Sequence, residues 1–409
     1  AAGNVTFSGA VGGSTRLGTL NIVTAGDVTA GAITLAAFDQ DAGTGTTTFN
    51  GAVNTNTSAG VVVANTNLAV NAAVTTTDNG VVTFTQSGTT TIAAAGDIIS
   101  DGAVTISSGG GTTTSADVTT TADAIQFASA TGLGDAVALV SAGGAVTFTS
   151  TLDNAQNLTI TAAAGNVSFS GAVGGSTRLG TLNIVTAGDV TAGALTLAAF
   201  DQDAGTGTTT LGGAVDTNAA GGVVVANTNL AVNAAVTTTG NGVVTFTQSG
   251  TTTIAAAGNI VSDGAVTVTS GGGTTTSADV TTTADAIQFA SNTAVNADLT
   301  LNTTSGGAAG AAITFGANIT NGGANDLILN AGTGGAITVA GTTSVTDLTL
   351  TNGASAVFTG NVTVNDLITA STATTITLNG STNTFAAAMD FVNTGTVTLG
   401  NATGDQSTF

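Results

Sequence analysis

The sequence predicts an all-β fold: a parallel β-helix, or β-solenoid, with coils of about 22 residues. Three observations point to it. A long block of the chain occurs twice, short strand-like triplets run along its whole length, and the triplets recur with a second, shorter period. Because each coil of a solenoid packs mainly on its neighbours, such a chain can grow by copying coils.

The long repeat covers most of the chain. Residues 1–130 return as residues 163–292, a shift of 162 positions, and 14 of the 130 compared positions differ. We therefore divide the chain into a first solenoid block (1–162), a near-copy (163–292) and divergent coils that continue the same rod (293–409). A catalytic site is one constellation that gains nothing from duplication, whereas a long or periodic molecule does.

The strands can be read from triplets in which one polar residue separates two apolar residues. This alternation, in β-branched and aromatic residues, is typical of half-buried strands. Gly, Asn, Asp and Ser between the triplets favour tight turns. Examples are VTF at 5–7, LNI at 20–22, ITL at 33–35, VTF at 82–84, VTI at 104–106 and IQF at 125–127. Only residues 385–391 (FAAAMDF) fit a short helix.

The shorter period comes from two interleaved series of apolar residues. The first advances by 21 or 22 residues and the second by 19 to 26. Two series with a common step predict one coil with at least two strand faces, and two- and three-faced coils both remain open. We expect the first series to stack as one interior column. The first series is Val63, Phe84, Ile106, Phe127, Phe148 and Phe169, and the second is Leu68, Ile92, Val118, Leu139, Leu158 and Leu182.

The ends of a solenoid expose unpaired strand edges and normally need caps. The sequence starts inside a repeat, since Ala1 and Ala2 match Ala163 and Ala164, and it begins with no signal peptide. We expect either a piece of a longer protein or a unit that associates end to end.

Some segments resemble a known family. Residues 4–13 (NVTFSGAVGG) and 20–29 (LNIVTAGDVT) are similar to the β-strand repeats of giant bacterial surface proteins, the filamentous-haemagglutinin-like and autotransporter-like adhesins. The resemblance covers essentially the whole chain, although its motifs carry little information. It implies a secreted right-handed β-helix at a cell surface, used in adhesion, matrix or filament formation.

The composition argues against an enzyme. The chain has no His, Cys, Lys, Glu or Tyr, so most general bases and nucleophiles are missing. Its only cations, Arg16 and Arg178, occupy one position of the two copies. A net charge of −21 excludes nucleic acid as a partner, because phosphate binding needs Lys and Arg. No apolar run reaches the length of a membrane span, so membrane insertion is not expected.

The sharpest local motif is Asp-Gln-Asp, which places Asp39 and Asp41, and their copies Asp201 and Asp203, two residues apart. In a strand such a pair shares one face, and two carboxylates could bind calcium, which prefers oxygen ligands. Calcium is therefore the one cofactor we consider. The alternative is a solvated acidic loop, since Gly and Thr follow at once. We assign the other aspartates between triplets to local Asx turns; they include Asp27, Asp97, Asp101, Asp117 and Asp123.

Threonine arrays can bind ice when they form a flat lattice. Here the Thr triplets begin at irregular spacings, and Thr is also a common outward-facing strand residue, so ice binding is not favoured.

Taken together, these observations favour a non-enzymatic extracellular rod of a bacterial cell surface that self-associates end to end or laterally. The alternative is a passive stalk of a giant adhesin whose binding tip lies outside these residues. Cell-surface glycans or other cells are the expected outside partners.

Overall fold

The computed structural model describes residues 3–321 and 323–409, so Ala1, Ala2 and Gly322 lie outside it, including the Ala1–Ala2 match of the repeat. The described residues contain strands, turns and irregular segments but no helix. Two compact units are present. Unit 1 comprises Ala1–Leu197 and Gln202–Gly207, and unit 2 comprises Ala198–Asp201 and Thr208–Phe409.

The strands of unit 1 are short, mostly three to five residues. They are β1 (Val5–Phe7), β2 (Leu20–Ile22), β3 (Val28–Ala30), β4 (Ile33–Leu35), β5 (Phe38–Gln40), β6 (Thr46–Phe49), β7 (Val53–Thr55), β8 (Val61–Asn65), β9 (Asn67–Val70), β10 (Val74–Thr76), β11 (Val82–Gln86), β12 (Thr90–Ile92), β13 (Ile98–Ser100), β14 (Val104–Ser108), β15 (Thr112–Thr114), β16 (Val118–Thr120), β17 (Ile125–Phe127), β18 (Thr131–Leu133), β19 (Val137–Ser141), β20 (Val146–Phe148), β21 (Leu152–Asp153), β22 (Leu158–Thr161), β23 (Val167–Phe169), β24 (Leu179–Thr186) and β25 (Val190–Ala192).

Strand β26 (Leu195–Gln202) contributes residues to both units. The strands of unit 2 are β27 (Thr208–Leu211), β28 (Val215–Thr217), β29 (Val223–Asn227), β30 (Asn229–Val232), β31 (Val236–Thr238), β32 (Val244–Gln248), β33 (Thr251–Ile254), β34 (Ile260–Ser262), β35 (Val266–Ser270), β36 (Gly273–Thr276), β37 (Val280–Thr282), β38 (Ile287–Phe289), β39 (Thr293–Val295), β40 (Leu299–Asn302), β41 (Ile313–Phe315), β42 (Ile319–Asn321), β43 (Leu327–Asn330), β44 (Ala336–Val339), β45 (Thr343–Ser344), β46 (Asp347–Asn352), β47 (Ser355–Phe358), β48 (Val362–Val364), β49 (Asp366–Thr369), β50 (Thr375–Leu378), β51 (Thr382–Phe385), β52 (Val397–Leu399) and β53 (Gln406–Thr408).

Unit 1 is a parallel β-solenoid with three strands in each turn. Most strands pair in parallel with the strand three positions later, and β1, β22 and β23 pair with the strand two positions later, which gives three sheets. Face A runs β4, β7, β10, β13, β16, β19, β22 and β24. Face B runs β2, β5, β8, β11, β14, β17, β20, β23 and β25. Face C runs β1, β3, β6, β9, β12, β15, β18 and β21.

Unit 2 has the same construction, and its three sheets start at β27, β28 and β29. The two units together hold about 19 turns of about 21 residues. These turns confirm the predicted β-solenoid and establish three faces, the question that the sequence left open.

The predicted interior column exists. On face B the register pairs Val63 with Phe84, then Phe84 with Ile106, and Ile106 with Phe127. Phe127 and Phe148 stack with ring centroids 5.0 Å apart, and Phe148 and Phe169 with centroids 5.4 Å apart. All these side chains are buried, so the column forms a continuous apolar core along face B.

The second predicted series is wrong as a single column, because it mixes two faces. Ile92 lies on face C, where its register partner is Val70 rather than Leu68. Val118, by contrast, lies on face A and pairs with Leu139. Since all faces share one period, spacing alone did not separate them. The helix expected at residues 385–391 is also wrong: β51 ends at Phe385, and the segment that follows is irregular.

The interior corners between the faces are polar. In unit 1 the hydroxyl of Thr90 donates to Oε1 of Gln86 at 2.7 Å, and the hydroxyl of Ser108 donates to that of Thr90 at 2.7 Å. At another corner Thr76 donates to the carbonyl of Gly80 at 2.5 Å. These buried side chains satisfy one another, or the backbone where it turns, so the chain can change direction without exposing polar groups to the apolar core.

The long repeat does not return to the same face. Strand β1 lies on face C, and seven steps along that face lead to β21; β22 on face A and β23 on face B follow. Because β23 is the copy of β1, one block advances by seven turns and two further faces. Within unit 1, equivalent residues of the two blocks therefore point in different directions.

Candidate functional site

The Asp-Gln-Asp motif lies at the end of β5 on face B. Gln40 is fully buried, whereas the flanking Asp39 is half-buried and Asp41 is exposed. This alternation places both carboxylates on the outer side of the sheet, as the strand periodicity predicts.

Polar side chains of neighbouring turns surround this pair, and a shallow cavity beside Asp41 also borders Thr85 and Ser87. In the sheet register Asp39 lies between Asn21 of the preceding turn and Val62 of the following turn. The N–H of Asp41 donates to the carbonyl of Ile22 at 3.1 Å. In the described part of the chain, no group of three or more His, Cys, Asp or Glu residues is placed to hold a metal ion. Calcium binding at this pair therefore stays a prediction.

The copies of this pair belong to different compact units, Asp201 to unit 2 and Asp203 to unit 1. Asp201 is half-buried and Asp203 is exposed. Each therefore keeps the exposure of its counterpart in the first block.

A buried polar network lies directly beneath the first motif. The hydroxyl of Thr47 donates to Oε1 of Gln40 at 2.6 Å, and Nδ2 of Asn65 donates to the hydroxyl of Thr47 at 2.7 Å. Gly43 is required here, because a Cβ at this position would lie 2.8 Å from Nε2 of Gln40 and 2.9 Å from Cβ of Asn65. The network fixes the backbone that carries both carboxylates.

Other aspartates link successive turns, which the sequence reasoning missed. The carboxylate of Asp97 accepts the N–H of Asp117 at 3.0 Å, and Asp117 accepts the N–H of Ala138 at 2.7 Å. Asp27 likewise accepts the N–H of Thr46 at 2.9 Å. These bonds run between turns, so the expectation of local Asx turns is wrong at these three residues, and also at Asp101, which accepts the N–H of Asn79. An Asp or Asn just before a strand, repeated at the coil period, was the available signal.

Unit 2 carries the longest series of such links. Asp298 accepts the N–H of Asp326 at 3.0 Å, Asp326 that of Asp347 at 3.1 Å, and Asp347 that of Asp366 at 3.1 Å. Asp347 and Asp366 are register partners on adjacent strands. We call these four residues the Asp ladder. It places four carboxylates on successive turns, where like charges oppose stacking while each bond to an N–H favours it.

One pair of equivalent aspartates has a lowered pKa. The N–H of Asn79 and the hydroxyl of Thr121 donate to Asp101 and hold the pKa of that carboxyl below 3.8. In the copy, Asn241 and Thr283 lower the pKa of Asp263 in the same way. Asn79 has a φ of 58° and Asn241 a φ of 60°, so each carboxylate anchors a turn residue in the left-handed region.

Both arginines serve the scaffold. In the first copy, Arg16 donates to the carbonyl of Leu35 at 2.6 Å and to the carbonyl and Oδ1 of Asn54 at 3.0 and 2.5 Å. In the second, Arg178 donates to the carbonyl of Leu197 at 2.7 Å. The guanidinium group thus ties successive turns together in the first block.

A groove on face C of unit 1 was not predicted. On face C, Gly132 is the register partner of Thr113 in the preceding turn and of Asp153 in the following turn, and it has no side chain to fill the space between them. The groove at this position also borders Thr91 and Thr131. It offers hydroxyls and one carboxylate, although that carboxylate already accepts the N–H of Ser176 at 2.8 Å. The residue 162 positions after Gly132 is Ala294, in the divergent coils, so the groove does not repeat unchanged.

Comparisons with known proteins add no relative: no family model matches the chain, and no curated protein or solved structure is significantly similar to it. Among the described residues, no helix is long and apolar enough to cross a membrane.

Proposed function

We propose that the chain is a non-enzymatic structural rod of a bacterial cell surface that acts in adhesion or filament formation. The observation that carries this proposal is what duplication has preserved. The β-solenoid itself fits a structural rod, and the contacts kept in both blocks include several that join one turn to the next.

Three preserved contacts illustrate this. In both blocks the arginine reaches a main-chain carbonyl 19 residues ahead. Asn67 accepts the N–H of Thr89, and its copy Asn229 accepts that of Thr251, each at 2.9 Å. The bond from Asn79 to Asp101 recurs, at 2.8 Å in both copies. In both blocks these contacts hold adjacent turns together, which is the stacking on which a solenoid depends.

Two forms of this function remain distinct. In the first, rods associate end to end or laterally into an extracellular filament, with strand edges as the templates for pairing. In the second, the chain is a passive stalk that presents a binding tip located elsewhere. The groove at Gly132, with its hydroxyls, supports glycans as a partner in either form.

Negative-stain electron microscopy of the purified chain, with calcium and then with a chelator, separates the two forms. Fibres of uniform width support a filament, and isolated rods in both conditions support a stalk. Compact globular particles would overturn the structural-rod proposal.

The calcium prediction is tested with a variant that removes all four carboxylates of the two Asp-Gln-Asp motifs. If the acidic pairs bind calcium, the variant Asp39→Asn, Asp41→Asn, Asp201→Asn, Asp203→Asn should lose any calcium-dependent fibre formation and any rise in Tm specific to calcium over sodium. An unchanged calcium response in this variant would assign the pairs to a solvated acidic loop.

A further inference from the structure

The same residues occur in two different environments within unit 1. Leu17 is 49% exposed, but its copy Leu179 is 1% exposed. Four neighbours of Leu17 are only half-buried, whereas their copies are at most 2% exposed. The half-buried residues are Val5, Phe7, Val11 and Leu20, and their copies are Val167, Phe169, Val173 and Leu182. We call Val5, Phe7, Val11, Leu17 and Leu20 the Val5 edge.

The copy shows what covers such an edge. Phe148 stacks on Phe169 with ring planes 9° apart. Leu152 bridges to Val173, and Leu158 is the register partner of Leu182. The turn formed by β20, β21 and β22 therefore buries the apolar side chains of the second block's first turn.

Backbone groups complete this contact. Ser170 N–H donates to the carbonyl of Phe148 at 2.9 Å, Gly174 N–H to that of Leu152 at 2.7 Å, and Gly180 N–H to that of Gln156 at 3.0 Å. The corresponding donors of the first block belong to Ser8, Gly12 and Gly18. Among the described strands, β1 pairs with β3 alone.

Side chains of the covering turn add specificity. Asp153 accepts the N–H groups of Ser176 and Thr177 at 2.8 and 3.3 Å, and Asn157 accepts that of Thr181 at 2.8 Å. The two edges are chemically almost the same, because only Thr6, which is Ser168 in the copy, differs over residues 1–32. A surface that matches the covered edge matches the Val5 edge as well.

We propose that the Val5 edge is a docking surface for a solenoid turn with the chemistry of residues 146–161. The partner carries a Phe at the position of Phe148, leucines at those of Leu152 and Leu158, and the carboxylate of Asp153. It docks in parallel, so that its carbonyls accept the N–H groups of Ser8, Gly12 and Gly18. This inference stands on unit 1 alone and does not depend on adhesion or filament formation.

The test uses the full chain with residues 131–162 repeated ahead of residue 1. The chain has no cysteine, so Leu17→Cys introduces a single thiol for maleimide labelling. We expect the added segment to slow labelling at least about tenfold, because the thiol would react only during local opening. Ile99→Cys, at a site 51% exposed on face A, is the matched control whose labelling rate should not change.

A second variant separates docking from mere tethering. Phe148→Asp and Leu158→Asp, made only in the added segment, should restore fast labelling at Leu17→Cys. Hydrogen exchange at Ser8, Gly12 and Gly18 should slow with the intact segment and not with the disrupted one. Equal labelling rates with and without the segment would overturn the proposal. So would protection in the unextended chain that disappears on dilution, because a second copy would then be the partner.

Discussion

Two threonines stacked on face A show how context decides the value of a buried hydroxyl. Thr55 and Thr76 are register partners and both are buried. The hydroxyl of Thr76 donates to the carbonyl of Gly80 and lies 3.1 Å from the hydroxyl of Ser100. The hydroxyl of Thr55 has no hydrogen-bond partner among the described residues. Its burial therefore costs the free energy of desolvation, and no hydrogen bond in the folded protein offsets it.

Thr55→Val should therefore stabilise the protein. Replacing the unpaired hydroxyl by a methyl group should raise the free energy of unfolding by about 1 kcal/mol. The matched variant Thr76→Val should lower it by about 1–3 kcal/mol, because the N–H of Asp101 loses the hydroxyl that accepts it at 3.2 Å and the carbonyl of Gly80 keeps only the hydroxyl of Ser100. Chemical denaturation of both variants measures the difference, and equal effects would contradict this account.

The lowered pKa of Asp101 predicts a dependence of stability on pH. Because its pKa is depressed in the folded state, the carboxylate stabilises the fold above 3.8 and this contribution is lost as pH falls through the folded pKa. Asp101→Asn should therefore be less stable than the parent near neutral pH, and the difference should shrink in acid. Thermal unfolding across pH measures it. Asp135→Asn, whose carboxylate accepts only the N–H of the next residue, serves as control.

At the scale of single residues, the sequence predicted where the aspartates lie relative to the strands better than it predicted their hydrogen-bond partners. Asp97, Asp101 and Asp117 were correctly placed between strands, but their hydrogen bonds cross to another turn. A partner 20 to 22 residues away depends on the register of stacking, which local patterns do not encode. The relation of Asp39 to Asp41, by contrast, follows directly from strand periodicity.

Among the elements, the face B column was the most predictable. Its members recur every 21 or 22 residues and are large enough to stand out. The second series failed because Ile92 and Val118, 26 residues apart, belong to faces C and A. Spacing fixes the length of a turn, whereas assigning residues to faces requires knowing how many of them each corner uses.

Phe148→Ala should be the most damaging single change in this column. Phe148 is 1% exposed and stacks on a phenylalanine of each adjacent turn. We expect a loss of about 3–5 kcal/mol, as is usual for a buried phenylalanine. Thr147→Ala removes an outward side chain from the same strand and should change stability little. Denaturant titration compares them, and similar losses would indicate that the column is not a core.

At the scale of the whole molecule, the net negative charge is the feature that bears most on stability. A net charge of −21 disfavours any compact state, and salt relieves such repulsion. Tm should therefore rise as sodium chloride increases from about 0.01 M to about 1 M, where the Debye length falls from about 30 Å to about 3 Å.

Asp347→Asn provides the control for that prediction. It removes one charge from the middle of the Asp ladder but retains an oxygen that can accept the N–H of Asp366. The variant should be more stable than the parent at low salt, and its Tm should depend less on salt. An identical salt response in both proteins would show that the ladder contributes little to the repulsion.

One block of the long repeat is not a whole number of turns, and this determines the face on which each repeated residue lies. Since a block of 162 residues ends two faces beyond seven complete turns, a side chain of residues 5–35 reappears on a different face in its copy at 167–197, within unit 1. If further blocks followed the same rule, the original direction would return only with every third one. A partner that recognises one such side chain would therefore meet its two copies in unit 1 on two different faces.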